Sequence, residues 1–178
     1  MRWSDLLQSQ PELAELGRRK LLDPGVALVA TIRRDGSPRL SAVEPFVLAG
    51  ELLLSMLLGS TKAADLLRDP RLLVHSVITS RDGGDGEFKL RGTARAQTDP
   101  DIQRRYSEAV AESLGWRPVP GRFHLFAVEV EDVTFISYDD ATGDQFVARW
   151  PAGDEYVRRG TSATTLGQPE ERRELLRR

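Results

Sequence analysis

VALVATIRRDGSPRLSAVEPFVLAGELLLSML, from Val26 to Leu57, alternates apolar, β-branched runs with turn signals, and its reading decides the fold. Val26 to Ile32 has the composition of a strand, and Arg33 to Pro38 then supplies an Asp-Gly pair, a strong short-range hairpin signal. The partner strand runs from Arg39 to Leu48 through Pro45, which has no N–H to give to a ladder and so belongs at an edge or a bulge. The tight link Ala49-Gly50-Glu51 opens a third strand, Leu52 to Leu58. These elements make a three-stranded antiparallel meander.

Working outward, Gly59 to Pro70 (GSTKAADLLRDP) reads as a short helix with a hydroxyl cap at its start and Pro70 at its end. A fourth strand follows over Arg71 to Thr79. A Gly- and Asp-rich turn, Arg81 to Gly86, leads into a fifth from Phe88 to Gln97. Asp99-Pro100 opens a second helix whose apolar face is Ile102, Tyr106, Ala109, Val110 and Leu114, and Gly115 stops it. After a loop holding Trp116, Pro118 and Pro120, a long strand spans Phe123 to Ser137, and Phe146 to Trp150 adds another. Upstream, Leu6, Leu7, Leu13 and Leu16 mark a helix over Ser4 to Lys20, broken at Pro11 and closed by Asp23-Pro24-Gly25. The stretch from Thr161 to Arg178 is polar and reads as a mobile tail or an arm on a partner subunit. Six or seven strands with inserted helices form a small antiparallel barrel of the mainly β (α+β) class.

The chain has 178 residues, 40% hydrophobic and 29% charged, which suits one folded domain with a sizeable core. With 25 basic and 27 acidic residues its formal charge is −2, so no basic excess draws it to nucleic acid or to an anionic membrane surface. No cysteine is present, which excludes disulfides, thiolate metal sites and cysteine nucleophiles. The two histidines, His75 and His124, read as structural residues and are too few for a multi-histidine metal site. Asp139, Asp140 and Asp144 lack the spacing of a calcium loop and read as a solvated turn. Neither a leader pattern nor a membrane-length apolar run is found, so a cytoplasmic location is expected.

The order and spacing of three segments resemble the pyridoxamine-5′-phosphate-oxidase-like family of flavin-binding split β-barrels, especially its small actinobacterial members that use FMN or F420. These segments are Val26 to Leu57, STKAADLLRDPR from Ser60 to Arg71, and GTARA from Gly92 to Ala96. The resemblance covers roughly residues 5 to 150. It implies a six- to seven-stranded antiparallel split barrel with short inserted helices and an N-terminal helix. Residues 1–155 form that single domain and 156–178 the tail or arm. It further implies a homodimer with the cofactor at the interface, its phosphate held by Arg39, Ser41, Ser60, Thr61 and Lys62. The family's true oxidases carry an Arg-x-His segment near the C-terminus for the substrate phosphate. Here that region reads ARWPAG, Ala148 to Gly153, so pyridoxamine phosphate is not the expected substrate.

Physical chemistry supports the same anion site independently of the family. A helix start offers unpaired N–H groups and the positive end of its dipole, and Ser60, Thr61 and Lys62 add hydroxyl donors and a compact charge. The same residues also read as a plain N-cap with a solvated lysine. Arg39, Ser41 and Val43 share one strand face, which either looks toward the cofactor or holds a post-turn arginine and a solvent-facing serine. Val43, Glu44 and Pro45, with Ser55, Met56 and Leu57, could line a planar ring. Trp116 and Trp150 fit a cofactor face or ordinary packing.

The expectation is therefore an oxidoreductase that uses FMN or F420 on a small organic substrate. The alternative is a non-catalytic binder or carrier of flavin, F420, haem or another planar ligand. A nucleic-acid-binding barrel is disfavoured by charge and by the lack of basic strands with exposed aromatics.

Overall fold

The computed structural model describes residues 1–81 and 83–172. The expected N-terminal helix is α1 (Trp3–Ser9) and α2 (Pro11–Gly17), separated at Gln10 because Pro11 occupies the first position of the second helix, where its missing N–H is tolerated. A π turn, Arg18–Leu22, extends α2, and the loop after it turns at Gly25, which adopts φ +73°. The strands are β1 (Ala27–Ile32), β2 (Pro38–Val43), β3 (Pro45–Leu48), β4 (Glu51–Leu57), β5 (Arg71–His75), β6 (Glu87–Ala96), β7 (Phe123–Tyr138), β8 (Gln145–Trp150), β9 (Glu155–Ser162) and β10 (Thr165–Glu171). Between them lie α3 (Thr61–Arg68) and α4 (Pro100–Leu114).

Among the described residues ten strands stand where six or seven were expected, for two reasons. The expected second strand is interrupted at Glu44 and restarts at Pro45, so β3 pairs with β4 alone and the proline sits at an edge. The other difference is the C-terminal segment, expected as a tail or arm: residues 155–171 form a hairpin that continues the sheet through β8. Asp144 anchors it, its carboxylate accepting from Arg159 Nη1 at 2.5 Å and from the Gly160 N–H at 3.0 Å. Residues 173–178 of the expected tail lie outside the described residues.

The antiparallel sheet runs β10-β9-β8-β7-β6-β5-β1-β2 and branches at β7, whose first half, Phe123 to Val128, pairs with β4. The second half of β7, Val133 to Tyr138, pairs with β8, and β6 runs along its opposite edge. This open, branched sheet is a split barrel. Pleating sends alternate side chains of β4 to two cores. Leu52, Leu54 and Met56 enter the main core with Phe88, Leu90, Phe126 and Trp3, whereas Leu53 joins Phe123, Leu125, Tyr106 and Val110 beneath α4. Burial on both faces explains the unbroken apolar reading of Leu52 to Leu54.

Candidate functional site

A cavity of about 440 Å³ opens where β2 and β4 meet the start of α3. Val43 and Glu44 come from the end of β2, Ser55, Met56 and Leu57 from β4, Ser60 and Lys62 from the helix entry, and Trp116 from the loop after α4. Five of the eight residues singled out from sequence thus share one cavity: Val43, Ser55, Met56, Ser60 and Lys62. Val43 and Met56 belong to the buried core, so they offer an apolar floor. Ser55 lies on the opposite face of β4 from Met56, beside the Tyr106 hydroxyl. Burial raises the Tyr106 pKa, the hydrogen bond with Ser55 opposes that rise, and the Glu44 charge adds to it.

The helix entry presents a set of hydrogen-bond donors. Ser60 is the N-cap, with extended backbone, and its hydroxyl accepts from the Ala63 N–H at 3.3 Å. The Ser60 N–H donates to the Leu57 carbonyl at 3.2 Å. Helix geometry therefore leaves the Thr61 and Lys62 N–H groups as the orphan donors of the first turn. The Lys62 ammonium donates to the Ala42 carbonyl at 2.9 Å, and both residues line the cavity. A phosphate fits this donor set: backbone N–H groups at the positive helix end and one full charge. Glu44 on the same rim is the unfavourable element for an anion.

Arg39 and Thr61 line a different cavity, of about 430 Å³, with Arg33, Arg34 and Asp65. Ser41 is half-buried on β2 and lines neither. Arg39 Nε donates to Asp65 Oδ2 at 2.7 Å, and the same carboxylate accepts from Thr31 Oγ1 at 3.0 Å and from Arg68 Nη1 at 3.3 Å. Asp65 is only 5% exposed. Burial alone would raise its pKa, but the hydrogen bonds from Arg39, Thr31 and Arg68 and the Arg39 charge outweigh that and hold it below the ordinary carboxylate range. Sequence reading missed Asp65. The available signal was an acid at i−3 from Arg68 on the inward face of a short helix.

The family model for pyridoxamine 5'-phosphate oxidase matches residues 13–137, the meander, α3, α4 and most of β7. This chain belongs to the pyridoxamine 5'-phosphate oxidase family. No curated protein matches it. Among solved structures it is similar to conserved hypothetical protein Rv2991 from Mycobacterium tuberculosis, with 21% identity, TM-score 0.58, and 70% of this chain and 82% of that one covered. It is also similar to a heme binding protein from Mycobacterium smegmatis, at 21% identity and TM-score 0.53, covering 69% of this chain and 53% of that one. An F420 reductase matches at 16% identity and TM-score 0.50, with 65% of this chain and 94% of that chain covered. At these identities the three likenesses establish the split-barrel fold.

Other residues of this oxidase-family chain have structural partners. Trp150 is buried and its Nε1–H donates to Ser9 Oγ at 2.8 Å, which places it in the core. Arg149 pairs with Asp154, and its guanidinium lies 5.7 Å over the Tyr156 ring. His75 hydrogen-bonds the Ser76 carbonyl at 2.6 Å and Glu87 at 3.1 Å, and His124 stacks on Phe126 with centroids 6.2 Å apart. Asp139 caps its own turn through the Ala141 and Thr142 N–H groups. Among the described residues no helix is long and apolar enough to cross a membrane.

Proposed function

We propose that the chain is an oxidoreductase that uses FMN or F420 to reduce or oxidise a small organic substrate, with the cofactor phosphate at the start of α3. One observation carries this reading: Val43, Ser55, Met56, Ser60 and Lys62, chosen from sequence, line one cavity whose mouth holds orphan helix N–H groups and an ammonium. Membership of the oxidase family supports it. The cofactor would supply the hydride chemistry. The Thr61 and Lys62 N–H groups and the Lys62 ammonium bind and orient its phosphate, while Val43 and Met56 keep water from the ring's inner face. Trp116, 47% exposed at the mouth, and Leu57, 78% exposed, form an apolar rim that a second copy of the chain would cover. That homodimer completes the site. Arg33 and Arg34, beside Thr61 in the adjoining cavity, would meet any anionic extension of the cofactor.

Non-catalytic carriage of a planar ligand is the second reading, favoured by one feature: among the described residues, Glu44 and Lys62 are the only titratable side chains lining the cavity. An absorbance spectrum of the protein as isolated, then titration with FMN and with F420, separates these readings once paired with turnover of reduced cofactor against enones and quinones. Lys62→Ala should weaken cofactor binding by about 1.5–3 kcal/mol, the scale of a charged hydrogen bond. Unchanged affinity would place the phosphate elsewhere.

A further inference from the structure

A cavity of about 580 Å³ lies between the α2 and π-turn segment and residues of β7 and β8. Its volume suits a small organic ligand rather than a few waters. Phe135, Phe146 and Leu16 make apolar walls, with Val147 and Ala148 beneath, and Ser137 stands between them. Both phenylalanines are half-buried, so part of each ring faces the open space rather than the core.

The rim charges balance in number but differ in how far their hydrogen-bonding groups are already engaged. Arg19 and Lys20 reach the rim from the π turn and Asp85 and Asp139 from the opposite loops. Asp139 is engaged by its own turn, with Oδ1 accepting from the Ala141 and Thr142 N–H groups at 3.0 and 2.9 Å and from Thr142 Oγ1 at 3.1 Å. Asp85 accepts from Thr79 Oγ1 at 2.7 Å. Arg19 has one long pairing, 3.9 Å to Glu15, and Lys20 has no ion pair among the described residues. The two carboxylates keep their charge but already hold donors, so Lys20, with Arg19 beside it in sequence, is the ionic group of this lining with the least engaged hydrogen-bonding capacity. A wide π turn in the middle of the wall is itself an energetically poor choice for a purely structural helix, and such turns concentrate at functional sites. Here it carries the two cations to the cavity while Leu21 stays buried in the core.

We propose that this cavity is a second ligand site, taking a small organic anion with a flat apolar body: an aromatic carboxylate or sulfonate. The ring lies between Phe135 and Phe146, and the acid group meets Lys20 and Arg19 at the rim. The site is separate from the α3 cavity and shares no residue with it. Its truth does not depend on the redox reading above.

The test uses the full chain and the fluorescent probe 8-anilinonaphthalene-1-sulfonate. Saturable binding is expected, displaced by 2-naphthoate and not by the neutral 2-naphthylmethanol. Lys20→Glu should weaken it about tenfold, the scale of one charge-assisted contact. Ser137→Trp, which fills the centre of the cavity, should abolish it, and Lys62→Ala should leave it unchanged. Thermal unfolding of each variant reports folding, and Lys20→Glu, at a half-exposed rim position, tests the site even if the tryptophan variant fails to fold. Equal displacement by the neutral alcohol, insensitivity to Lys20→Glu, or loss of the probe in Lys62→Ala would each overturn the proposal.

Discussion

Asp65 shows how one side chain redirects the reading of another. Arg39 was expected to face a phosphate, yet its guanidinium lies 2.7 Å from a carboxylate that is nearly dry. Arg39→Ala leaves the Asp65 carboxylate to Arg68 and Thr31 alone and removes its shortest charged hydrogen bond, so stability should fall by about 1.5–3 kcal/mol, read as a shift in urea midpoint. Were Arg39 chiefly a phosphate ligand, the same change would instead reduce cofactor affinity and leave the midpoint in place. The pH dependence has a definite sign. The folded carboxyl is held below its ordinary value, so its contribution is complete above the unfolded pKa and disappears as the pH falls through the lower, folded one. Urea midpoints taken from pH 7 downward should therefore fall in acid more steeply for the native chain than for Asp65→Asn, which is weaker throughout. Parallel curves would show that Asp65 is not a source of acid sensitivity.

At the scale of elements, close approach matters more than propensity. Gly92 sits at the β6–β7 bulge, where a Cβ would lie 2.2 Å from the Glu129 carbonyl oxygen. A backbone oxygen in a ladder cannot step aside, so Gly92→Ala should destabilise by about 1–3 kcal/mol, the range for overpacking, measured by thermal or urea unfolding. A neutral result would mean that the bulge relaxes. Most of the split barrel was legible because its strands bury one face, or for β4 both, and burial writes apolar periodicity into the chain. The helix entry was legible for a similar reason, since Ser60, Asp99 and Gly115 are local signals that need no tertiary partner. The β9–β10 hairpin was not, because of its strands only Val157 is buried and the rest read as polar surface. Its anchor, Asp144 to Arg159, joins residues from two separate elements, and no local pattern announces it. The same holds for Asp65: two strands and a helix must assemble before Thr31, Arg39 and Arg68 converge on it. The α3 cavity was half legible. The family resemblance and the helix-start signal singled out Ser60 and Lys62, and the strand positions Val43, Ser55 and Met56, whereas the separation of Arg39 and Thr61 into an adjoining cavity is a packing outcome.

For the whole molecule, the question is what covers the mouth of that cavity. Leu57, at the end of β4, and Trp116 both line its rim, Leu58 follows Leu57 in the chain, and all three are at least 47% exposed. Apolar groups gathered at one opening of a small barrel gain from burial at roughly 25 cal/mol per Å² of surface removed from water. Two-fold symmetry would set each rim against its copy, an isologous arrangement in which one substitution acts twice. Leu57→Glu places two carboxylates in that contact without touching either buried core. The native chain should sediment as a dimer and Leu57→Glu as a monomer with an unchanged circular dichroism spectrum. Because the partner would close the α3 cavity, the monomeric variant should also bind FMN or F420 more weakly than the native chain, although residue 57 lies outside the phosphate donors. A native chain that sediments as a monomer, or a Leu57→Glu dimer with native affinity, would show that the rim meets something other than its own copy.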